Sequence, residues 1–280
     1  AGSGLGGWVA GLSASASSSS AWTLLGVSGA AFAWGWSAVW LLPATLGGFL
    51  INWLFVAPRL AVLARSEGAL TLSEVILPAS LGQARMPLLR LATLIIVFCF
   101  VFYIAAQFDG AGKAFTANFG WSSTNSILIG AAIIIAYTWL GGFWAVSVTD
   151  ALQALMMLLV AVGLPLLAVV AASAEPDALA ARNNTAVGDV YPGVVGLAFV
   201  VGTLGIGLGY PGQPHVVNRF MALKDERALR HGRAIALSWA VLVYTGMLSL
   251  GWSARVLIGT AAAGEQALFL TADALLPPLA

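Results

Sequence analysis

Seven apolar segments, each of about 20 residues, determine what this chain can fold into. An α-helix of about that length crosses the hydrocarbon core of a bilayer. Only 8% of the 280 residues are charged, whereas soluble domains carry about 25%. The sequence therefore predicts an all-α, polytopic membrane protein with seven transmembrane helices. The segments lie at residues 8–28, 33–57, 88–112, 124–146, 150–172, 194–220 and 234–258.

The basic residues predict how these helices are oriented. Nine of the 12 Lys and Arg residues lie in the connections after the second and sixth segments, and alternation puts Lys113, Arg182 and Arg255 on the opposite side. Because cytoplasmic connections carry the excess of Lys and Arg, the nine are expected in the cytoplasm. For this Ala-rich chain of bacterial character we expect a multi-pass protein of the cytoplasmic (inner) membrane. A net charge of +1 argues against nucleic acid as a partner.

The sixth segment is interrupted at its centre by helix-breaking residues. Glycine loosens a helix, and proline removes a backbone hydrogen-bond donor. Irregular backbone within a bilayer survives only where it lines a cavity inside the protein. We predict that the helix unwinds between Ile206 and Pro214 and presents carbonyls to a cavity, as transporters do for ions and small solutes; a proline-kinked, packed span is the alternative. The breakers lie within eight residues: Gly207, Gly209, Pro211, Gly212 and Pro214.

The first segment carries a run of serines at the same depth. Serine hydroxyls compete for backbone groups and open or bend a membrane helix. Hydroxyl and carbonyl oxygens are also the ligands that a hard cation prefers. The run predicts a second unwound span, with close packing of small residues as the alternative. The serines are Ser13, Ser15, Ser17, Ser18, Ser19 and Ser20.

The two discontinuous spans lie five helices apart, which is typical of an inverted repeat. This spacing predicts an incomplete five-plus-five inverted-repeat fold of the leucine-transporter-like type. The whole chain, residues 1–280, then forms a single transmembrane domain. Its first repeat covers residues 8–172, and the second repeat begins within residues 194–258.

The remaining reactive residue types do not indicate an enzyme. Cys99 lies alone in an apolar run, and the two histidines lack carboxylate or thiol neighbours at metal-ligand spacing. No paired carboxylates or Ser, Lys and His constellation occurs within the apolar segments. We therefore expect neither an enzymatic activity nor a cofactor.

Several motifs resemble those of the sodium:solute symporter family, closest to its sodium/proline symporter branch. They are GGFWAVSVTDALQ at residues 141–153, GLGYPGQPHVVNRFMA in the sixth segment, and SAWTLLG at residues 20–26. The resemblance implies a secondary active transporter that couples a cation, which is sodium in the family pattern, to the symport of proline or a similar small organic solute. A sensor that binds a solute and signals through a fused C-terminal kinase is the alternative.

The resemblance also implies a sodium site in the first segment. The family pattern assigns the carbonyls of Ala16 and Ser19, and the side chains of Ser18 and Ser20, to the ion. Ser18 stands where the family has an aspartate, and Ser3 stands where it has an arginine. Because a hydroxyl attracts a cation less than a carboxylate does, we expect a weak sodium site.

The solute site and a gate follow from the same resemblance. Trp22, Tyr103 and Tyr210 are expected to converge on one cavity, where aromatic faces hold an ammonium group or an apolar ring. Asp150, at the cytoplasmic start of the fifth segment, is implied as a gating residue, with a structural role at the N-terminus of that helix as the alternative. Family members have further spans on both sides of this chain, so we expect a fragment that does not transport alone. The implied solute-binding set is Ser20, Trp22, Tyr103, Ile206, Tyr210 and Gln213.

Overall fold

The computed structural model describes residues 6–69, 71–184, 193–260 and 264–276, and the regular elements in these ranges are helices. Ser3, one of the positions discussed above, lies outside the described residues. In chain order the α-helices are α1 (Gly7–Ser18), α2 (Val27–Trp34), α3 (Leu41–Leu50), α4 (Ala57–Glu67), α5 (Leu72–Ile76), α6 (Arg85–Phe119), α7 (Ser123–Ala172), α8 (Pro176–Asn183), α9 (Val194–Gly205), α10 (Pro214–Met221), α11 (Glu226–Leu257) and α12 (Ala267–Leu275). Short 3-10 or π-helical segments join several of them: Trp22–Gly26, Gly35–Trp40, Ile51–Val56, Ala79–Ala84, Ile206–Gly212 and Gly264–Gln266.

Six helices in the described part of the chain are long and apolar enough to cross a membrane. This agrees with a polytopic membrane protein, but it does not confirm the predicted count of seven. The difference arises at the first segment. Helix α1 has only 12 residues and ends at Ser18, so it is too short to cross a membrane as one helix. The six are Trp22–Glu67, Ala79–Thr116, Ser123–Gly142, Val146–Ala172, Val194–Gly212 and Glu226–Leu257.

Two glycines with positive φ divide long helical stretches. Gly35 (φ 56, ψ −135) separates α2 from the 3-10 turn that leads to α3. Gly142 (φ 56, ψ −158) divides α7 into the predicted fourth and fifth segments. L-residues with a side chain rarely adopt this backbone conformation, so glycine is required at both bends.

Helix α11 forms the centre of the core and packs against α1, α2, α3 and α7. Two glycines let neighbouring backbones approach it closely. A Cβ atom on Gly246 would lie 1.9 Å from the Ala161 carbonyl oxygen, and one on Gly251 would lie 2.2 Å from the Ser28 carbonyl oxygen. Small residues at such crossings are typical of helix packing in membranes. The outer surface of α6 and α7, by contrast, is apolar and exposed, as at Leu140.

Polar contacts join the connections at each end of the helices. Arg65 Nη1 donates to the Lys224 carbonyl oxygen (3.5 Å), which joins the two basic connections at one end of the bundle. Elsewhere Lys113 Nζ lies 2.7 Å from the Glu265 carboxylate. Residues predicted to share a side of the membrane therefore lie together.

Candidate functional site at the helix interruptions

The first interruption follows the C-terminal end of α1. Ser19 there has extended backbone (φ −97, ψ 114). The Ser20 N–H donates to Thr23 Oγ1 (3.1 Å), and the Ala21 N–H donates to Gln107 Oε1 from α6 (2.9 Å). Amides that lose their helical partners must find others inside a membrane protein. Side chains of the same turn and of α6 therefore satisfy the amides freed by the interruption.

The second interruption has a different geometry. The chain follows a 3-10 path over Ile206–Gly212, and Gln213 is extended (φ −94, ψ 98) before Pro214 starts α10. Asn52 Nδ2 donates to the Tyr210 carbonyl oxygen (3.2 Å) and so provides a partner for this irregular backbone. The helix interruption predicted between Ile206 and Pro214 is present.

A buried ion pair connects α10 to α7 beside the first interruption. The Arg219 guanidinium contacts the Asp150 carboxylate, and both side chains are largely buried, with 8% and 17% exposed. Ser17 Oγ donates to Asp150 Oδ2 (3.0 Å), while Ser13 Oγ donates to the same oxygen (3.2 Å) and accepts from Arg219 Nε (2.7 Å). Two serines of the predicted cation-binding run therefore bind the carboxylate.

An aromatic cluster lies where the end of α1 meets the start of α10. His215 Nε2 lies 3.0 Å from the Ser17 carbonyl oxygen and donates to it. The His215 ring is 5.2 Å from the Tyr103 ring and 5.4 Å from the Phe100 ring, measured between centroids. Tyr103 also forms a side-chain hydrogen bond with Ser20. The start of α10, the third segment and the end of α1 thus meet around one histidine.

Almost the whole chain matches a known protein family. Residues 1–279 match the model of the Sodium:solute symporter family. The chain belongs to this family. The expectation from the motifs is confirmed.

Named relatives of this symporter-family chain are proline transporters. It is 35% identical over 251 residues to the "Sodium/proline symporter" of Escherichia coli (strain K12), which covers 89% of this chain and 50% of that protein. It is 34% identical over 283 residues to the "Osmoregulated proline transporter OpuE" of Bacillus subtilis (strain 168), with 96% and 56% covered. A "Sodium/proline symporter" of Staphylococcus aureus is 33% identical over 259 residues, with 88% and 48% covered. The chain thus spans about half the length of these relatives.

Three of the four oxygens predicted to bind sodium in this symporter-family chain have hydrogen-bond partners. A hydroxyl or carbonyl oxygen with one such partner keeps a lone pair for a cation. The set is built from neutral oxygens, which suit a hard cation, and the described residues contain no group of three His, Cys, Asp or Glu that would hold a metal ion. The four residues stay a prediction. The pairs are Ala16 O with the Ser19 N–H (3.0 Å), Ser18 Oγ with Ser15 O (2.8 Å) and Ser20 Oγ with the Trp22 N–H (3.2 Å).

Some of the predicted solute-binding residues lie close together. Ser20 Oγ accepts the backbone N–H of Trp22, and Tyr103 of the third segment forms a side-chain hydrogen bond with Ser20. The Trp22 side chain is 39% exposed. Gln213 Oε1 is buried and has no hydrogen-bond partner within the described chain. Ile206 is partly exposed at the start of the second interruption.

Tyr210 has surroundings that differ from the predicted cavity. Its side chain is 4% exposed. Its hydroxyl lies 2.6 Å from the Tyr244 hydroxyl, and its ring centroid lies 5.3 Å from that of Phe49. Among the described residues, no direct side-chain contact joins Tyr210 to Trp22 or Tyr103. Its role toward a solute stays a prediction.

The sequence analysis missed the residues that hold the interruptions in place. Arg219 was counted among the cytoplasmic cations, yet it is 6% exposed. Gln107 and Tyr244 lie inside apolar segments and received no role. A polar group within a membrane span is itself a signal of a specific partner, and this signal marks both residues.

Proposed function

We propose that the full-length protein is a secondary active transporter that couples sodium to the symport of proline or a similar small organic solute across the cytoplasmic membrane of a bacterium. The relatives named as sodium/proline symporters support this proposal. The observation that carries it is the meeting of the helix ends that flank the two interruptions, where His215 at the start of α10 binds the Ser17 carbonyl oxygen in the last turn of α1. The relatives give no support to the alternative of a kinase-linked sensor.

The proposal includes the inverted-repeat architecture. Residues 8–172 form the first repeat, and residues 194–258 begin the second, within one transmembrane domain covering residues 1–280. The interruptions in the first and sixth segments support this assignment, because the two repeats of such transporters contribute one discontinuous helix each.

Sodium is expected to bind at the C-terminal end of α1. The carbonyls of Ala16 and Ser19 and the hydroxyls of Ser18 and Ser20 supply the oxygens. The negative end of the helix dipole, of about half an elementary charge, favours a cation here. Without a carboxylate at Ser18, the site attracts the ion only through dipoles.

The solute is expected to lie beside the first interruption. Trp22 and Tyr103 offer aromatic faces near Ser20, and a cation held over such a face gains about 0.5–2 kcal/mol. The unpartnered Gln213 oxygen is a ready acceptor for an N–H of an amino-acid ligand. Ile206 and Tyr210 complete the proposed set.

The ion pair between Asp150 and Arg219 acts as the cytoplasmic gate in this proposal. It joins α7 to α10 and includes Ser13 and Ser17 of α1. Opening a path to the cytoplasm between these helices requires the pair to separate or to move as a unit. Leaving one partner of a buried pair alone costs about 3–5 kcal/mol in soluble proteins, so the contact between Asp150 and Arg219 favours the closed gate.

Uptake of radiolabelled proline by proteoliposomes tests the proposal. The full-length protein should accumulate proline when sodium is high outside, and should not do so when choline replaces sodium. Competition by other unlabelled amino acids then defines the solute class. Absence of sodium-driven uptake of proline and of every competing solute would refute the proposed symport.

A further inference from the structure

One hydroxyl on the uninterrupted helix α11 touches both interruptions. Tyr244 is fully buried, and its hydroxyl lies 2.6 Å from the Tyr210 hydroxyl in the second interruption. Tyr244 also forms a side-chain hydrogen bond with Thr23. Thr23 Oγ1 in turn accepts the Ser20 N–H of the first interruption (3.1 Å). The result is a continuous chain of hydrogen bonds from Ser20 to Tyr210.

This chain of hydrogen bonds is isolated from solvent. Thr23 is 0% exposed and Tyr210 is 4% exposed, so water does not replace a lost partner. A buried polar group left without a partner carries its full desolvation cost, whereas an exposed one does not. A displacement at either interruption therefore requires Tyr244 to change partners or the other interruption to follow.

The second interruption is held firmly enough to transmit such a displacement. Asn52 binds the Tyr210 carbonyl oxygen, and the Tyr210 ring packs against Phe49. A Cβ atom added to Gly48 would lie 2.6 Å from the Tyr210 ring, so the ring lies directly on the α3 backbone. The hydroxyl is the part of Tyr210 that faces α11.

We propose that Tyr244 is a positioning residue that couples the two interruptions. It transmits a change at the proposed ion site, on the first interruption, to Tyr210 of the proposed solute-binding set, on the second. The consequence for transport rests on the proposed function, whereas the coupling itself does not. The contacts of α11 with α7 and α2 hold this helix in place. The Tyr244 hydroxyl meanwhile contacts both interruptions.

Hydrogen exchange of the full-length protein in lipid nanodiscs tests the coupling without any transport assay. Tyr244→Phe keeps the ring and removes only the hydroxyl. We expect roughly fivefold faster amide exchange in both residues 20–26 and residues 206–213, because one buried hydrogen bond is lost from each. Tyr137→Phe, the same change at a half-buried tyrosine of α7, should alter neither segment.

Reciprocal variants separate coupling from local damage and do not depend on Tyr244→Phe being foldable. Tyr210→Phe should accelerate exchange in residues 20–26, and Thr23→Val should accelerate it in residues 206–213, although neither substitution lies in the segment that responds. If each variant loosens only its own segment, or if exchange rises throughout the protein, the proposed coupling is wrong.

Linkage between sodium and proline supplies the functional arm. Sodium should strengthen proline binding in the parent protein by a factor that falls about fivefold in Tyr244→Phe, while Tyr137→Phe keeps the parent value. An unchanged factor in Tyr244→Phe would overturn the transport role of Tyr244. If the parent protein binds no proline with or without sodium, the proposed function fails, and the exchange experiment still decides the coupling.

Discussion

The hydroxyl of Ser18 lies at the end of α1, where the family pattern has a carboxylate. It donates to the Ser15 carbonyl oxygen and so stabilises the last turn of the helix. Its oxygen retains a lone pair but carries no charge. The strength of the proposed ion site is therefore expected to depend on dipoles contributed by neighbouring carbonyls.

Restoring the charge should strengthen the site. Ser18→Asp in the full-length protein is expected to lower the sodium concentration for half-maximal proline uptake by roughly tenfold, about 1.4 kcal/mol, because a carboxylate near a cation gains far more than a hydroxyl in a partly wet site. Ser18→Asn, which is neutral and of the same shape, should not do so. Loss of uptake in Ser18→Asp with tight sodium dependence in the parent would show that the hydroxyl is the proper ligand.

The second prediction at this scale concerns the buried carboxylate of Asp150. Asp150→Asn is expected to lower the free energy of unfolding by about 3 kcal/mol, because it leaves the Arg219 charge buried without a counter-charge. The matched control is Asp109→Asn, which removes a carboxylate from the exposed pair with Lys113 and should change stability little. Unfolding of the purified protein in detergent measures both.

A double substitution checks the cause. Arg219→Gln combined with Asp150→Asn removes both charges and should be less destabilising than the sum of the two single substitutions. Strict additivity would mean that the two groups act independently, which contradicts the ion pair as the source of the effect.

The interrupted elements depend on two kinds of neighbour. Side chains such as Gln107 and Asn52 bind the freed backbone groups. Glycines allow a neighbouring backbone to come close, as at Gly207, where a Cβ atom would lie 2.2 Å from the Ala44 carbonyl oxygen. The 3-10 segment of the sixth span is therefore fixed against α3 rather than free to move.

Two glycines in that 3-10 segment give a matched test. Gly207→Ala should destabilise the protein by about 1–3 kcal/mol, since α3 and the segment must separate. Gly209→Ala adds the same methyl group where no other atom lies within 4 Å, and should be nearly neutral. Thermal unfolding of the two variants distinguishes them, and equal losses would show that glycine flexibility, rather than close packing, is what matters.

At the scale of the whole molecule, the sequence predicted a helical membrane protein and its second interruption. It did not predict the contacts between distant segments. Glycine and proline at residues 207–214 predicted the second interruption, because their backbone effects are local. The partners of the freed groups were not predictable, since Tyr244 and Arg219 reach them only through packing between distant segments. The count of seven spans was not confirmed, because apolar length alone does not show that α1 ends as a short helix before Ser19.

Orientation in the membrane is the testable property of the whole molecule. In intact cells that express the full-length protein with Cys99→Ser, a membrane-impermeant maleimide should label Glu265→Cys. Arg65→Cys should react only after permeabilisation, because basic connections stay in the cytoplasm. The reverse pattern would contradict the predicted orientation.

The ion pair between α7 and α10 also restricts how this protein can diverge. A single substitution at Asp150 or Arg219 leaves a buried charge alone, whereas replacing both is far less costly. A lineage that loses one partner therefore passes through a destabilised ancestor before it loses the other. We therefore expect substitutions at positions 150 and 219 to occur together among descendants, although the two positions lie 69 residues apart in the sequence.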